Sequence, residues 1–447
     1  MVNLPPIWPS LRAHIDQAPS AFVAVLVAAA TTVFAWVNIS NAEAMAPQWS
    51  QDLAFFHQWI HSAANGGPWA SPLILEPQGF FDQVHTHLVL PAVVGLYKVW
   101  STQTLLLWVH SFFVSLAIWP AFRLAENIAG GRHALLCTLA LVAFGPFQGL
   151  AVADFRPVGL FLPGLIGVWY GARRGSSLAI LGWATVALLG RQEASYLLML
   201  SGGALLFGRW GRATRKHAIM LLCVGATAWL AFAMLKPAMF FHINPMAPSA
   251  PWPSSAELWD QRLGFGLCLV LSGWSIGILS PLPLLAAAPI FWGFLSSGRE
   301  WHAVVGPGAH HHVFWLPFVV VAGIAAASKV PKGIGPVLLL LGSAMAFPWA
   351  QTQTGPIHLE RLVNLVPEDA RVAADYETIH RLSGRPVLWN IDHLYMPDRP
   401  WHWTKPWPLT EADVDWILMP SEHALGAHLD AWNIVATEAQ HILLQRP

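Results

Sequence analysis

Eleven long apolar stretches occupy most of the first 350 residues of this 447-residue chain, and they confine it to the membrane class. They run Ala21–Ile39, Leu105–Leu124, Ala134–Leu150, Pro157–Gly171, Ser177–Leu189, Ala194–Phe207, Ala218–Met239, Leu263–Leu279, Leu282–Leu295, Val313–Ala327 and Ile334–Trp349. Several fall short of the roughly 20 residues that a straight helix needs to cross a ~30 Å hydrocarbon core, so their boundaries are soft. Composition agrees: 55% of residues are hydrophobic and 11% charged, where a soluble domain carries about 25% charged residues. A net charge of zero argues against a nucleic-acid partner. The 25 Trp and 35 Pro suit interfacial belts and interrupted helices. Cys137, Cys223 and Cys268 lie inside apolar runs and read as small core residues, not as a disulfide or metal set.

Lys and Arg collect in every second connection: Arg12; Arg123 and Arg132; Arg173 and Arg174; Arg209, Arg212, Arg215 and Lys216; Lys329 and Lys332. The positive-inside rule makes those connections cytoplasmic. With an odd number of spans, the N-terminus is expected inside and the C-terminal tail outside, in a protein of the cytoplasmic (inner) membrane. Ala21–Ile39 is expected to be a retained first span, because no clean small-x-small cleavage site precedes polar sequence.

The expected fold class is mainly α, a polytopic transmembrane helical bundle over residues 1–350, followed by a small extracytoplasmic α/β domain over 351–447. The outer loop 41–103 holds an interfacial helix, Asp52–Ala64, and a second apolar piece, His87–Trp100, that is re-entrant or lies on the bundle. In the tail, Arg371–Ala374, Pro386–Trp389 and Asp415–Met419 read as strands, and Asp375–Leu382 and Glu422–Trp432 as helices.

Most acids and histidines outside the tail fall in the outer connections. Asp52 opens the loop helix, where a carboxylate is favoured by the helix dipole or serves as a general base at the membrane boundary. Asp82, His85 and His87 follow; the two histidines share one side of an extended segment, which permits joint metal ligation. Asp154 with Arg156, and the turn Arg191-Gln192-Glu193, place ionisable groups near membrane depth, where they default to function unless they merely neutralise one another. Arginine there suits phosphate, through bidentate charge-assisted hydrogen bonds. His310, His311 and His312 precede Val313, but consecutive side chains diverge and cannot all face one centre. No Walker loop, GxGxxG, HExxH or GxSxG motif is present, so ATP hydrolysis is not expected.

The order of Asp52-Leu53, the histidine segment with Tyr97 downstream, Asp154-Phe155 with Pro157, Arg191-Gln192-Glu193 and a histidine pair before Pro317 resembles the polytopic family of domain of unknown function 2079. The tail segment Val366–Arg385 (VPEDARVAADYETIHRLSGR) resembles that family's outer domain. The family is similar to the GT-C glycosyltransferases, which take a sugar from a polyprenyl-phosphate donor at the outer face. The resemblance implies a lipid-linked sugar donor and membrane lipid as partners, with the base role falling on Asp52. Two departures stand out: His57 occupies the neighbourhood where the family often has a second acid, and Arg191 stands where Lys is common. The candidate set is therefore catalytic Asp52, Asp154 and Glu193, with Arg156, Arg191, Gln192, His85, His87 and His311 binding substrate. No cofactor is required, and a divalent metal ion is allowed for. A proton-coupled transporter or flippase, and a non-catalytic envelope assembly protein, are the alternatives.

Overall fold

Apolar sequence in a membrane must satisfy its own backbone, and helix is the conformation that does so within one segment. The computed structural model describes residues 19–43, 50–67, 69, 80, 85–235, 263, 266–267, 269–296, 312–330, 334–346, 359–375, 378–385, 387–391, 414–421, 432–438 and 440–447. Over these the chain is mainly helical, with one small sheet near its C-terminus.

Among the described residues, 3 helices are long and apolar enough to cross a membrane by length and composition: Ala21–Glu43, Gln103–Ala129 and Arg215–Leu235. Gly131–Ala143 and Gly145–Ala151 are long and apolar enough only as a pair, bent by 63° at Phe144, just before Pro146, a shape that fits a broken span or a re-entrant loop. Other apolar stretches form shorter helices, including Phe161–Arg174, Ser177–Gly190, Ala194–Phe207 and His312–Ala327. The interruptions have local causes. Pro120 cannot donate to the carbonyl four residues back, and the Gln103–Ala129 helix loosens at Leu116 and Ala117. The expected Leu263–Leu279 span is not one helix in its described part. Gly273 takes φ +77°, a Cβ there would lie 2.8 Å from the Leu338 carbonyl oxygen, and Trp274–Leu279 continues as a 3-10 helix.

Close approach fixes the turns that carry the ionisable residues. Phe161–Arg174 packs directly on Ser177–Gly190, because a Cβ at Gly164 would sit 2.6 Å from the Ala187 amide nitrogen. This hairpin presents Asp154–Arg156 and Arg191–Glu193 at one end and Arg173–Ser176 at the other.

The tail forms a five-stranded sheet of order β2-β1-β3-β5-β4. Its strands are β1 (Arg371–Ala374), β2 (Val387–Asn390), β3 (Trp416–Pro420), β4 (Asn433–Glu438) and β5 (His441–Gln445). β1 pairs parallel with β2 and β3, and β5 pairs antiparallel with β3 and β4. The expected helix Asp375–Leu382 is reduced to a 3-10 turn, Ile379–Leu382. Asp375 Oδ1 accepts both the Thr378 amide and hydroxyl protons at 2.8 Å, a local bond that competes with helix. Glu422–Trp432 lies mostly outside the described residues, and the β4–β5 hairpin was not expected. One sheet face (Val372, Ala374, Leu418, Leu443) shares an apolar cluster with Leu53, Phe56, Trp59 and Ile60 of the loop helix Ser50–Ala64. The other face packs Ala373, Ile417, Met419 and Leu444 around Trp389.

Candidate functional site

The loop helix begins at Ser50, which places Asp52 in its first turn, where backbone amides and the helix dipole favour a negative charge. Its side chain is 41% exposed and pairs with Arg156 Nη2. Arg156 turns the same fork on Asp154: Nε donates to Oδ1 at 2.5 Å and Nη2 to Oδ2 at 3.3 Å. One guanidinium therefore bridges two carboxylates, an exposed Asp52 and a fully buried Asp154. Burial pushes the Asp154 carboxyl up to about 7; the Arg156 charge opposes this and the Asp52 charge adds to it. Asp154 can thus hold a proton near neutrality, and it is the member of the cluster that stays out of water.

Two side chains that the sequence did not single out hold this loop. Asn38, buried in the Pro19–Glu43 helix, donates from Nδ2 to the Ala153 carbonyl at 2.6 Å. His110 Nε2 donates to the Leu150 carbonyl at 2.7 Å, which leaves Nδ1 to accept the Arg156 amide proton at 3.2 Å. That arrangement fixes a neutral tautomer. A lone polar residue inside an apolar stretch was the available signal for both.

The second cluster forms where residues 85–89 lie along the turn 189–193. The Val89 amide donates to the Leu189 carbonyl at 3.0 Å, and the Thr86 amide to Gln192 Oε1 at 3.1 Å. His87 Nδ1 donates to the Gly190 carbonyl at 2.7 Å. Arg191 grips Glu193 through Nε at 2.7 Å and Nη2 at 2.9 Å, with its guanidinium 5.7 Å above the Phe314 ring. His85 Nδ1 approaches Glu193 Oε1 to 2.9 Å. Burial alone would raise the Glu193 carboxyl, but the Arg191 charge and the His85 contact outweigh it and hold the group well below the usual carboxylate range. His87 goes the other way: burial pushes it down to about 3, so it stays neutral.

The two clusters adjoin. Phe56, one helical turn beyond Asp52, packs edge-on against Phe155 at 5.4 Å and against His87 at 5.3 Å. A Cβ at Gly190 would lie 2.9 Å from the Pro157 carbonyl oxygen, so the two turns touch through backbone. Asp52, Asp154 and Arg156 therefore meet directly, and His85, His87, Arg191, Gln192 and Glu193 meet beside them. His87 and Gln192 are buried, and each holds a backbone group across the turn. Asp82, His310 and His311 lie outside the described residues. His312 starts the His312–Ala327 helix with its ring 5.2 Å from Trp315. Joint metal ligation by His85 and His87 is not seen: their ring centroids are 6.3 Å apart, and the Nδ1 atoms face Glu193 and the Gly190 carbonyl. Among the described residues no group of three His, Cys, Asp or Glu could hold a metal ion.

His57 reaches away from these clusters to the tail. Its Nδ1 is 2.7 Å from Ser383 Oγ in the tail, and its Nε2 is 2.8 Å from Tyr97 Oη. Ser383 Oγ donates to the His380 carbonyl at 2.6 Å and accepts from Gln103 Nε2 at 2.9 Å. The serine has one proton, so His57 Nδ1 must donate to it and Tyr97 must donate to His57 Nε2. Burial and the neighbouring His61 push His57 down to about 3, consistent with this neutral form. Gln58 adds a second link, accepting the Gly384 amide proton at 2.9 Å and donating to the Arg385 carbonyl.

The overall fold is similar to that of solved structures of ArnT from Cupriavidus metallidurans. The structure of ArnT bound to undecaprenyl phosphate matches with a TM-score of 0.61 at 13% identity, covering 95% of this chain and 98% of that one. Its apo state matches at 0.57 and 12%, covering 96% and 98%. No curated protein matches by sequence. At these identities the likeness is one of fold alone. A family model described as predicted membrane protein (DUF2079) matches residues 50–423, and the chain belongs to that family.

Proposed function

We propose that this protein is a membrane glycosyltransferase that moves a sugar from a polyprenyl-phosphate donor to an acceptor at the outer face of the cytoplasmic membrane. The observation that carries the proposal is the half-exposed Asp52 carboxylate, held by Arg156 at the start of a boundary helix and adjoining the Arg191 turn. The fold likeness to a structure bound to undecaprenyl phosphate supports it. In this reading eleven spans carry the chain across the bilayer, the N-terminus is inside, and loop 41–103 and the domain 351–447 are outside.

Asp52 accepts the acceptor hydroxyl proton as the acceptor oxygen bonds to the sugar's anomeric carbon. The carbon–oxygen bond to phosphate breaks, and its electron pair leaves on the lipid phosphate. Cations preorganised at that point stabilise the developing charge. Arg191 uses Nε and Nη2 on Glu193, and Nη1 is the donor this reading assigns to the phosphate. Arg156 orients Asp52, and Asp154 and Glu193 fix the two arginines. His85, half-exposed at the rim, hydrogen-bonds the substrate, while His87 and Gln192 support the turn.

The test is Asp52→Asn in membranes supplied with a panel of polyprenyl-phosphate monosaccharides. Losing a general base is expected to slow transfer by about 10²-fold or more. Unchanged turnover sinks the assignment. The transporter reading asks for paired broken helices, and among the described residues 1 bent pair passes as a broken span.

A further inference from the structure

At the ends of the helix hairpin remote from Asp154 and Arg191, two turns meet and gather six of the chain's 24 Lys and Arg residues: Arg173, Arg174, Arg209, Arg212, Arg215 and Lys216. No acid lies between Arg173 and Ser177 or between Gly208 and His217. Among the described residues none of the six pairs with a carboxylate.

This is a built platform and not a loose charge run. The Arg212 amide donates to the Arg173 carbonyl at 2.8 Å, and the buried Trp210 indole donates to the Trp169 carbonyl at 2.8 Å. Gly175 and Gly211 take φ +70° and +56°, and a Cβ at Gly211 would lie 2.6 Å from the Arg173 carbonyl oxygen. Arg173 lies 5.8 Å over the Trp210 ring, and its Nε is buried with no hydrogen-bond partner. The other five cations of the two turns are exposed. Exposed apolar side chains adjoin the two turns in the chain: Leu178 is 82% exposed and Phe207 84%.

We propose that this platform binds the phosphodiester headgroup of an anionic diacyl phospholipid in the leaflet opposite the candidate site. The cations answer the headgroup charge, and the apolar rim at Leu178 and Phe207 answers the acyl chains, which a soluble anion does not have. A basic cluster beside apolar helix ends attracts anionic lipid at about five-fold in affinity per cation. The inference rests on membrane residence and is independent of the proposed transfer reaction.

The test uses the full chain in neutral detergent, with thermal unfolding followed as phosphatidylglycerol, phosphatidylcholine or inorganic phosphate is added. Phosphatidylglycerol is expected to raise the Tm, and phosphatidylcholine and inorganic phosphate to leave it in place. The exposed triple variant Arg209→Gln, Arg212→Gln, Lys216→Gln should weaken the phosphatidylglycerol response at least ten-fold, and Arg173→Gln should weaken it further than Arg173→Lys. Arg371→Gln, in the tail, should respond as the unaltered chain does. An equal response to phosphatidylcholine, the same shift with inorganic phosphate, or wild-type affinity in the triple variant each overturns the proposal.

Discussion

Two of the seams between the loop 50–103 and the rest of the molecule differ in their chemistry. At the turn 189–193 the loop meets the helices through neutral hydrogen bonds beside a buried ion pair, Arg191 with Glu193, which His85 touches. At the tail it meets Ser383 and Gly384 through neutral groups, His57, Tyr97, Gln58 and Gln103. A neutral hydrogen bond is replaceable at about 1 kcal/mol, whereas a buried charge that loses its partner is not. The charged seam can therefore serve chemistry only because every member is paired, and the neutral seam is suited to holding the loop helix and its Asp52 in place.

The largest expected effect lies on the charged side. Arg191→Ala leaves Glu193 buried without its counter-charge and should lower stability by about 3–5 kcal/mol, read as thermal unfolding in detergent. Replacing both partners, Arg191→Met with Glu193→Leu, should recover most of that loss. A loss under about 1 kcal/mol in the single variant would break the contrast.

Acid should act next, and on both seams through histidine. His57 and His87 sit at about 3 in the fold against an ordinary 6.5, so the folded state binds fewer protons between those values. Their contribution is full above pH 6.5 and falls as the pH drops towards 3, by about 1.4 kcal/mol for each histidine at pH 5.5. His57→Gln should remove its share of the acid sensitivity. A Tm flat from pH 7.5 to 5.5 would show that these rings are not held neutral.

The smallest effect is expected within the neutral seam. His57→Ala and Ser383→Ala should each cost about 1 kcal/mol, with a coupling of about 0.5–1 kcal/mol in a double-mutant cycle. Strict additivity would mean that the two side chains do not act together.

Much of the candidate site was legible because its residues are anomalous for their surroundings. Asp52, Asp154, Arg191 and Glu193 stand out as charges beside apolar runs, and the distribution of Lys and Arg makes outer connections the expectation for them. His110 and Asn38 were passed over because one polar residue in an apolar helix carries no pattern of its own; their role depends on loop carbonyls 40 and 115 positions away. His57 stood in the right neighbourhood for a catalytic group, yet its partner is Ser383, 326 positions away. In the tail, three strands followed from apolar runs, while the helix expected at Asp375 gave way to a side-chain bond onto Thr378.

Hydropathy by itself determined that this chain is built of membrane helices, since local apolar density decides whether a segment must close its own hydrogen bonds. It also determined which residues were too costly to be incidental. Tertiary structure alone decided that one guanidinium spans Asp52 and Asp154, that Phe56 seats between the two charged turns, and that the tail docks on the loop helix. Those are contacts between segments far apart in the chain, and no local periodicity encodes which of many compatible partners a side chain will meet.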